Sequence, residues 1–242
     1  MIKFLNKDSK PLDYIELSIF EKSDNVDFLL VQENQRLFLE FPKNKNFKPF
    51  SIDFTSNEIL HRTKEIGKNN ELIKAIGLKK DYIPNILDST AGLGRDSFII
   101  ASKGCQVTML ERNTVVYYLL RNAIDLAKEN SETFPTVNKM TLVNIDSIEY
   151  IKNTKIRPDI IYLDPMFPKS KKSRLVKKEM QIFHELVGND SDSNLLLEES
   201  LKKTKNRVVV KRMLKDTYLN NMKPNFEIKG STVRFDVYLK NQ

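Results

Sequence analysis

Apolar residues change their spacing near Ser56. Before it, the runs alternate with a period of two: Tyr14-Ile15-Glu16-Leu17-Ser18-Ile19-Phe20, then Val26 to Val31 and Arg36 to Phe41, with Pro49 to Phe54 as a further candidate. This is the pattern of half-buried strands, and the polar Glu33-Asn34-Gln35 between two of the runs predicts a hairpin. Residues 1–56 are therefore expected to form a small β-rich region, either as structural cover or as a docking surface. Ser56 then starts a helical pattern that runs to Gly67, and a second short helix over Asn70 to Ala75 stops at Gly77. From Ile86 onward, short apolar runs alternate with helical ones. Strands are predicted at Ile86–Thr90, Gln106–Leu110, Met140–Ile145, Asp159–Leu163 and Arg207–Lys211. Helices are predicted at Ser97–Lys103, after an Asn113 cap, after a Ser147 cap, near Val176–Val187 and near Asn194–Lys203. That alternation is the signature of a parallel sheet with covering helices. Phe226–Lys229 and Val233–Leu239, split by Gly230-Ser231-Thr232, read as a closing antiparallel hairpin. The expected fold class is α/β and Rossmann-like: a seven-stranded, mostly parallel sheet with an antiparallel C-terminal hairpin over residues 57–242, plus the small β-rich N-terminal region.

Chemistry enters where these strands end. Glu111, Asp146 and Asp164 each follow a predicted strand at its C-terminal end, the edge at which open α/β sheets bind ligands. The turn Ala91-Gly92-Leu93-Gly94-Arg95-Asp96 lies on the same edge, and its glycines permit tight curvature and close ligand approach. Glu111 follows Gly94 at roughly the spacing at which an acid accepts hydrogen bonds from a ribose. A dinucleotide enzyme uses a similar layout, but Ser97 replaces the third glycine of that fingerprint, and Asp96 puts an acid where a pyrophosphate needs backbone amides. S-adenosylmethionine carries no phosphate. Its ammonium and carboxylate suit an Asp and an Arg, its ribose suits Glu111, and its adenine amine suits Asp146 with help from Ser147.

Asp164-Pro165-Met166-Phe167-Pro168 is the second half of the chemistry. The predicted strand delivers a carboxylate, the two prolines stiffen the following turn, and an aromatic ring sits between them. A carboxylate, a fixed carbonyl and an aromatic face suit a planar base that bears an exocyclic amine. Asp164, Pro165 and Phe167 are the expected catalytic residues. The motif resembles the (Asp/Asn)-Pro-Pro-(Tyr/Phe) loop of amine methyltransferases, with Met166 in place of the second proline.

Taken with Asp88-Ser89-Thr90-Ala91-Gly92-Leu93-Gly94-Arg95-Asp96, Met109-Leu110-Glu111-Arg112-Asn113, Leu175-Val176-Lys177-Lys178-Glu179-Met180 and Val208-Val209-Val210-Lys211-Arg212, the chain resembles the RsmJ family. These are bacterial methyltransferases that modify a guanine N2 amine of small-subunit ribosomal RNA. The resemblance spans roughly residues 53–240 and implies a class I methyltransferase fold with S-adenosylmethionine as cofactor. It implies that Arg95, Asp96, Glu111, Arg112, Asp146, Ser147 and Asp164 bind that cofactor, with Asp88, Gly92 and Gly94 of the turn completing the set. Asp146-Ser147 stands where the family often has Ser-Ser.

Charge sharpens the partner. Lys and Arg number 40 against 32 acids, a net charge of +8 that favours a polyanion. Lys169, Lys171, Lys172, Arg174, Lys177 and Lys178 follow the base-gripping loop without an intervening acid. A lysine run is usually a solvated face, but RNA phosphates must pass this point, so these residues are expected to bind RNA together with Lys211 and Arg212. The expected partner is small-subunit ribosomal RNA or the small subunit itself. Cys105 is the single cysteine, which excludes an intrachain disulfide and a thiolate metal cluster, and no metal site is expected. No run approaches the ~18 apolar residues of a membrane span, and the N-terminus lacks a signal peptide's apolar stretch, so a cytoplasmic protein is expected. Two other readings share these features: an N6-adenine methyltransferase on DNA or RNA, and a non-catalytic RNA-binding assembly factor on the same fold.

Overall fold

A computed structural model describes residues 1–23, 25–44, 46–67, 70–165, 186–187 and 191–240. The C-terminal unit is a seven-stranded sheet made of β4 (Ile86–Asp88), β5 (Val107–Glu111), β6 (Met140–Asn144), β7 (Ile160–Leu163), β8 (Arg207–Met213), β9 (Phe226–Lys229) and β10 (Val233–Leu239). Their spatial order is β6-β5-β4-β7-β8-β10-β9. The first five in that order run parallel, and β10 joins β8 and β9 antiparallel. The expected α/β fold is therefore present, with its C-terminal hairpin. The order reverses between β4 and its neighbours β5 and β7, which opens a crevice at their C-terminal ends.

Strand parity decides what faces what. In β7, Ile160 and Tyr162 join the core under α3 (Arg95–Ser102) and α4 (Thr114–Lys128), while Ile161 and Leu163 join the core under α6 (Ser147–Asn153) and α7 (Ser193–Lys203). In β8, Val209 joins the first core, and Val208 and Val210 join the second. These strands are apolar on both faces because helices cover both. α4 is the main cover. Asn113 caps it as expected, its side chain accepting from the Val115 and Val116 amides, and Val116, Leu119, Leu120 and Ala123 are buried along one stripe. Val116, Leu119 and Leu120 each contribute about 1.5–3 kcal/mol by burial. α2 (Glu71–Ile76) runs as predicted from an Asn70 cap to Gly77, which ends it in the left-handed region. Cys105 is buried, and burial pushes its thiol up to about 11.

The N-terminal region forms its own three-stranded sheet, in the order β1 (Ile2–Asn6), β2 (Phe28–Glu33) and β3 (Arg36–Glu40). β2 (Phe28–Glu33) and β3 (Arg36–Glu40) make the predicted hairpin, with Asn34 and Gln35 both at positive φ in the turn. Two expectations fail here. The alternating stretch Tyr14–Phe20 is no strand but a loop with a single 3-10 turn at Leu17–Ile19. Both edges of β2 are already taken, one by β3 and the other by the unpredicted β1 (Ile2–Asn6). The stretch instead crosses α4, where Tyr14 and Phe20 pack near the Tyr118 ring and the Glu16 amide donates to the Tyr118 hydroxyl. Pro49–Phe54 likewise contributes only a bridge between Phe50 and Leu39. At α6 the cap is Asp146, not Ser147: its carboxylate accepts from the Ile148 and Glu149 amides. The helix expected at 176–187 lies outside the described residues except for Leu186 and Val187.

The two sheets share one hydrophobic core through α4, α3 and Phe54. Among the described residues, no helix is long and apolar enough to cross a membrane. The hairpin is also fixed by polar contacts. The buried Asn122 side chain of α4 accepts from the Leu37 amide at 2.9 Å and donates to the Gln35 carbonyl at 2.8 Å. Asn122→Ala leaves both backbone groups without this partner and is expected to lower unfolding free energy by about 1–3 kcal/mol in urea titrations.

Candidate active site

The turn after β4 is built from below. Gly92 and Gly94 have φ of 51° and 68°. A Cβ at Gly94 would lie 2.7 Å from a Leu120 methyl and 3.0 Å from the Phe54 ring, so only glycine fits. Asp88 sits under the turn, where its carboxylate accepts from the Thr90 amide at 3.0 Å and the Ser97 hydroxyl at 2.5 Å. Burial pushes that carboxyl up to about 7, against these hydrogen bonds, and the charges of Asp96 and Asp164 add to the rise. Asp88 thus braces the turn from the core side rather than reaching the crevice as the sequence reading expects. Glu111 braces it from the β5 side: its Oε2 accepts from the Gly92 amide at 3.0 Å and its Oε1 from the Asn113 amide at 2.8 Å.

Across the crevice, Lys211 Nζ lies 2.7 Å from Asp96 Oδ2 and 2.9 Å from Asp164 Oδ2. The Tyr162 hydroxyl donates to the same Asp96 oxygen at 2.7 Å, and the Asp164 amide donates to Thr90 Oγ1 at 2.6 Å. Burial opposes the charge on Asp96, but the ammonium and hydrogen bond of Lys211, the Tyr162 hydroxyl and the charge of Arg62 hold its carboxyl below the usual range. Burial alone would favour a neutral Lys211, yet the two carboxylates raise its affinity for a proton well above the ordinary value. Tyr162 is raised too, by burial first and by Asp96 next, so it stays a donor. The Asp164 side chain is 41% exposed against 15% for Asp96, so Asp164 is the more accessible of the two acids.

Further along the edge, Arg112 lies 2.8 Å from Asp192 and 3.8 Å from Asp146. Ser147 donates its hydroxyl to the Ser89 carbonyl at 2.6 Å, which ties α6 to the turn. Arg95 opens α3 and lines, with Arg62, a cavity of about 200 Å³ between that helix and α1 (Asn57–Glu65). Two expected RNA contacts move elsewhere. Lys211 belongs to the acid cluster. Arg212, one residue on, has the opposite parity, is buried, and donates to the Thr217 carbonyl. Met166, Phe167 and the basic run Lys169, Lys171, Lys172, Arg174, Lys177 and Lys178 lie outside the described residues.

Residues 13–240 match a protein-family model described as "Putative SAM-dependent methyltransferase". The chain belongs to this methyltransferase family. Among its relatives, ribosomal RNA small subunit methyltransferase J of Tolumonas auensis is 44% identical over 214 residues, covering 88% of this chain and 86% of that protein. The protein of the same name from Colwellia psychrerythraea is 43% identical over 220 residues, covering 90% and 80%. A crystal structure of a SAM-dependent methyltransferase from Neisseria gonorrhoeae is 32% identical, superposes with a TM-score of 0.73, and covers 90% of this chain and 85% of that one.

S-adenosylmethionine is thus the cofactor of this methyltransferase, and the crevice fits it chemically. Asp96, Glu111, Asp146 and Asp164 lie along the C-terminal edge of the parallel strands, an acceptor set that suits a cationic sulfonium, an ammonium and ribose hydroxyls and would repel a pyrophosphate. The sequence reading missed Thr90, Tyr162 and Asp192. Tyr162 was within reach, since it lies two residues before Asp164 and so shares its face. Nothing local marks Asp192, which meets Arg112 only through the fold.

The buried acid gives a pH signature. Between about pH 4 and 7 native Asp88 keeps a proton that the unfolded chain has released, so its contribution to stability falls as pH rises through that window. Asp88→Asn cannot ionise. Its stability relative to wild type should rise by on the order of a few kcal/mol between pH 4 and 7 and then level off, as read by urea unfolding. Parallel curves for the two proteins would refute a raised Asp88.

Proposed function

We propose that this methyltransferase transfers the methyl group of S-adenosylmethionine to the exocyclic N2 amine of a guanosine in small-subunit ribosomal RNA. The observation that carries the chemistry is Asp164: an exposed carboxylate at the open end of β7, next to Pro165, with its amide pinned to Thr90. The names of the relatives from Tolumonas auensis and Colwellia psychrerythraea support small-subunit RNA as the substrate. This substrate implies a cytoplasmic site of action.

S-adenosylmethionine supplies an electrophilic methyl group whose C–S bonding pair stays with sulfur on transfer. The protein's part is to orient. Glu111 accepts from the ribose, Asp146 from the adenine amine, and Arg95 and Asp96 meet the carboxylate and ammonium, with Arg112, Ser147 and the Gly92–Gly94 turn shaping the site. A guanine amine is a poor nucleophile because its lone pair is delocalised into the ring. Hydrogen bonds from that amine to Asp164 and the Pro165 carbonyl favour a pyramidal nitrogen and aim its lone pair at the methyl carbon. Such positioning supplies roughly 7–11 kcal/mol in well-aligned cases. The nitrogen gains acidity as the N–C bond forms, and its surplus proton passes to Asp164 or to water. Phe167 stacks on the flipped base, worth about 1–3 kcal/mol. The lysine run from Lys169 to Lys178 holds the flanking phosphates. Residues 1–56 serve as an appended region that supports the turn from Phe54 and offers a docking face.

Nucleoside analysis after incubation with S-adenosylmethionine and small-subunit RNA should show 2-methylguanosine. The appearance of 6-methyladenine instead would favour the adenine reading, and no cofactor binding in calorimetry would favour a non-catalytic assembly factor. Asp164→Ala is expected to lower kcat by about 10²–10³-fold, as loss of a transition-state contact does, while cofactor affinity measured by calorimetry changes less. Replacing Lys171, Lys172 and Lys177 together by Ala should raise KM for RNA and flatten its salt dependence. An unchanged salt slope would return that run to a solvated face.

A further inference from the structure

We propose that Lys211 is a positioning residue for methyl transfer: clamped between Asp96 and Asp164, it keeps Asp164 an ionised acceptor aimed at the target amine. The inference rests on the reading of Asp164 as the residue that receives that amine.

Geometry carries it. Val210 pairs with Leu163, so the next residue of β8, Lys211, and the residue after β7, Asp164, leave the ladder side by side. Parity sends both to the α3 face, where Asp96 waits on the first turn of that helix. Lys211 Nζ then bridges the two acids at 2.7 and 2.9 Å, and Tyr162 ties Asp96 back to β7. Phe235 of β10 lies opposite Lys211 in the register, so that neighbour supplies no competing charge. Among the described residues, other charged groups acting on the cluster include Asp88 of β4, whose carboxyl is raised by both acids, and Arg62 of α1, which acts on Asp96. Two acids from two elements, Asp96 and Asp164, therefore converge on the Lys211 ammonium, with Asp88 close enough to feel both. Without that ammonium, neighbouring carboxylates repel and one takes up a proton near neutral pH. A protonated Asp164 donates a hydrogen bond, whereas the amine needs it to accept one. The lysine also anchors Oδ2, which fixes the rotation of the carboxylate.

Lys211→Met, Lys211→Gln and Lys211→Arg test this, with the Gln variant read in the same way should the Met variant fail to fold. The first readout needs no substrate: carboxyl ¹³C NMR of Asp-labelled protein, with Asp164 assigned through Asp164→Ala. The neutral variants should move an Asp96 or Asp164 titration upward by about one pH unit or more, and Lys211→Arg should not. In methylation assays, kcat of the neutral variants at pH 7 should fall about tenfold and recover toward alkaline pH, with KM for S-adenosylmethionine within about threefold of wild type. Lys211→Arg should restore the rate and the pH profile. Unmoved carboxyl titrations, or a loss of kcat that is uniform in pH, would overturn the proposal in favour of a packing role. A change confined to KM for RNA would return Lys211 to the phosphate-contact role. A wild-type protein that leaves small-subunit RNA unmodified would refute the substrate reading alone, because the titrations still decide the role of Lys211.

Discussion

The central strands of this sheet are covered by helices on both faces, so a polar side chain can leave the core only where the ladder ends. β7 is apolar throughout, β8 is apolar from Val208 to Val210 where it pairs with β7, and the next residues are Asp164 and Lys211. Glu111 and Asp88 stand at the last positions of β5 and β4, where both stay buried and brace the turn. Because side chains alternate along a strand, a shift of one residue moves a group to the opposite layer. That is why Lys211 meets the acids on the α3 side while Arg212 is buried on the other.

Electrostatics at that edge is a matter of balance. Asp88 holds the turn from a buried position and pays for it with a carboxyl raised to about 7. Asp96 keeps its charge because Lys211 and Tyr162 lie within hydrogen-bond distance. The result is an edge rich in acceptors, with one ammonium held between two of them. Such a surface suits a cationic methyl donor and a neutral base amine, and it differs from a phosphate-binding turn in charge rather than in backbone shape.

The N-terminal sheet is structurally close to this chemistry. Phe54 stacks on Phe98 of α3 with ring centroids 4.8 Å apart and planes 5° apart, and the same ring lies beneath Gly94. Asn122 and Tyr118 bind the N-terminal region to α4, whose Leu120 also contacts the Gly94 position. The region that carries no chemical motif therefore forms part of the floor of the turn.

Periodicity in the sequence determined the strands and most of the described helices of the C-terminal unit, the closing hairpin and the edge on which Glu111, Asp146 and Asp164 fall, because burial on two faces or one is written directly into residue spacing. It misread Tyr14–Phe20, where alternation reflects contacts across α4, since a period of two does not say whether a sheet edge is available to pair with. Strand parity also held the information that Lys211 and Arg212 face opposite layers. Only the tertiary structure decided which groups meet: Asp96 from α3 with Lys211 from β8, Arg112 with Asp192, and Ser147 with Ser89. Those partners are far apart along the chain, and no local preference encodes a distance that depends on how the layers pack. The glycine turn and the carboxylate of Asp164 were legible as chemistry, whereas Lys211, which bridges Asp96 and Asp164, was legible only as charge.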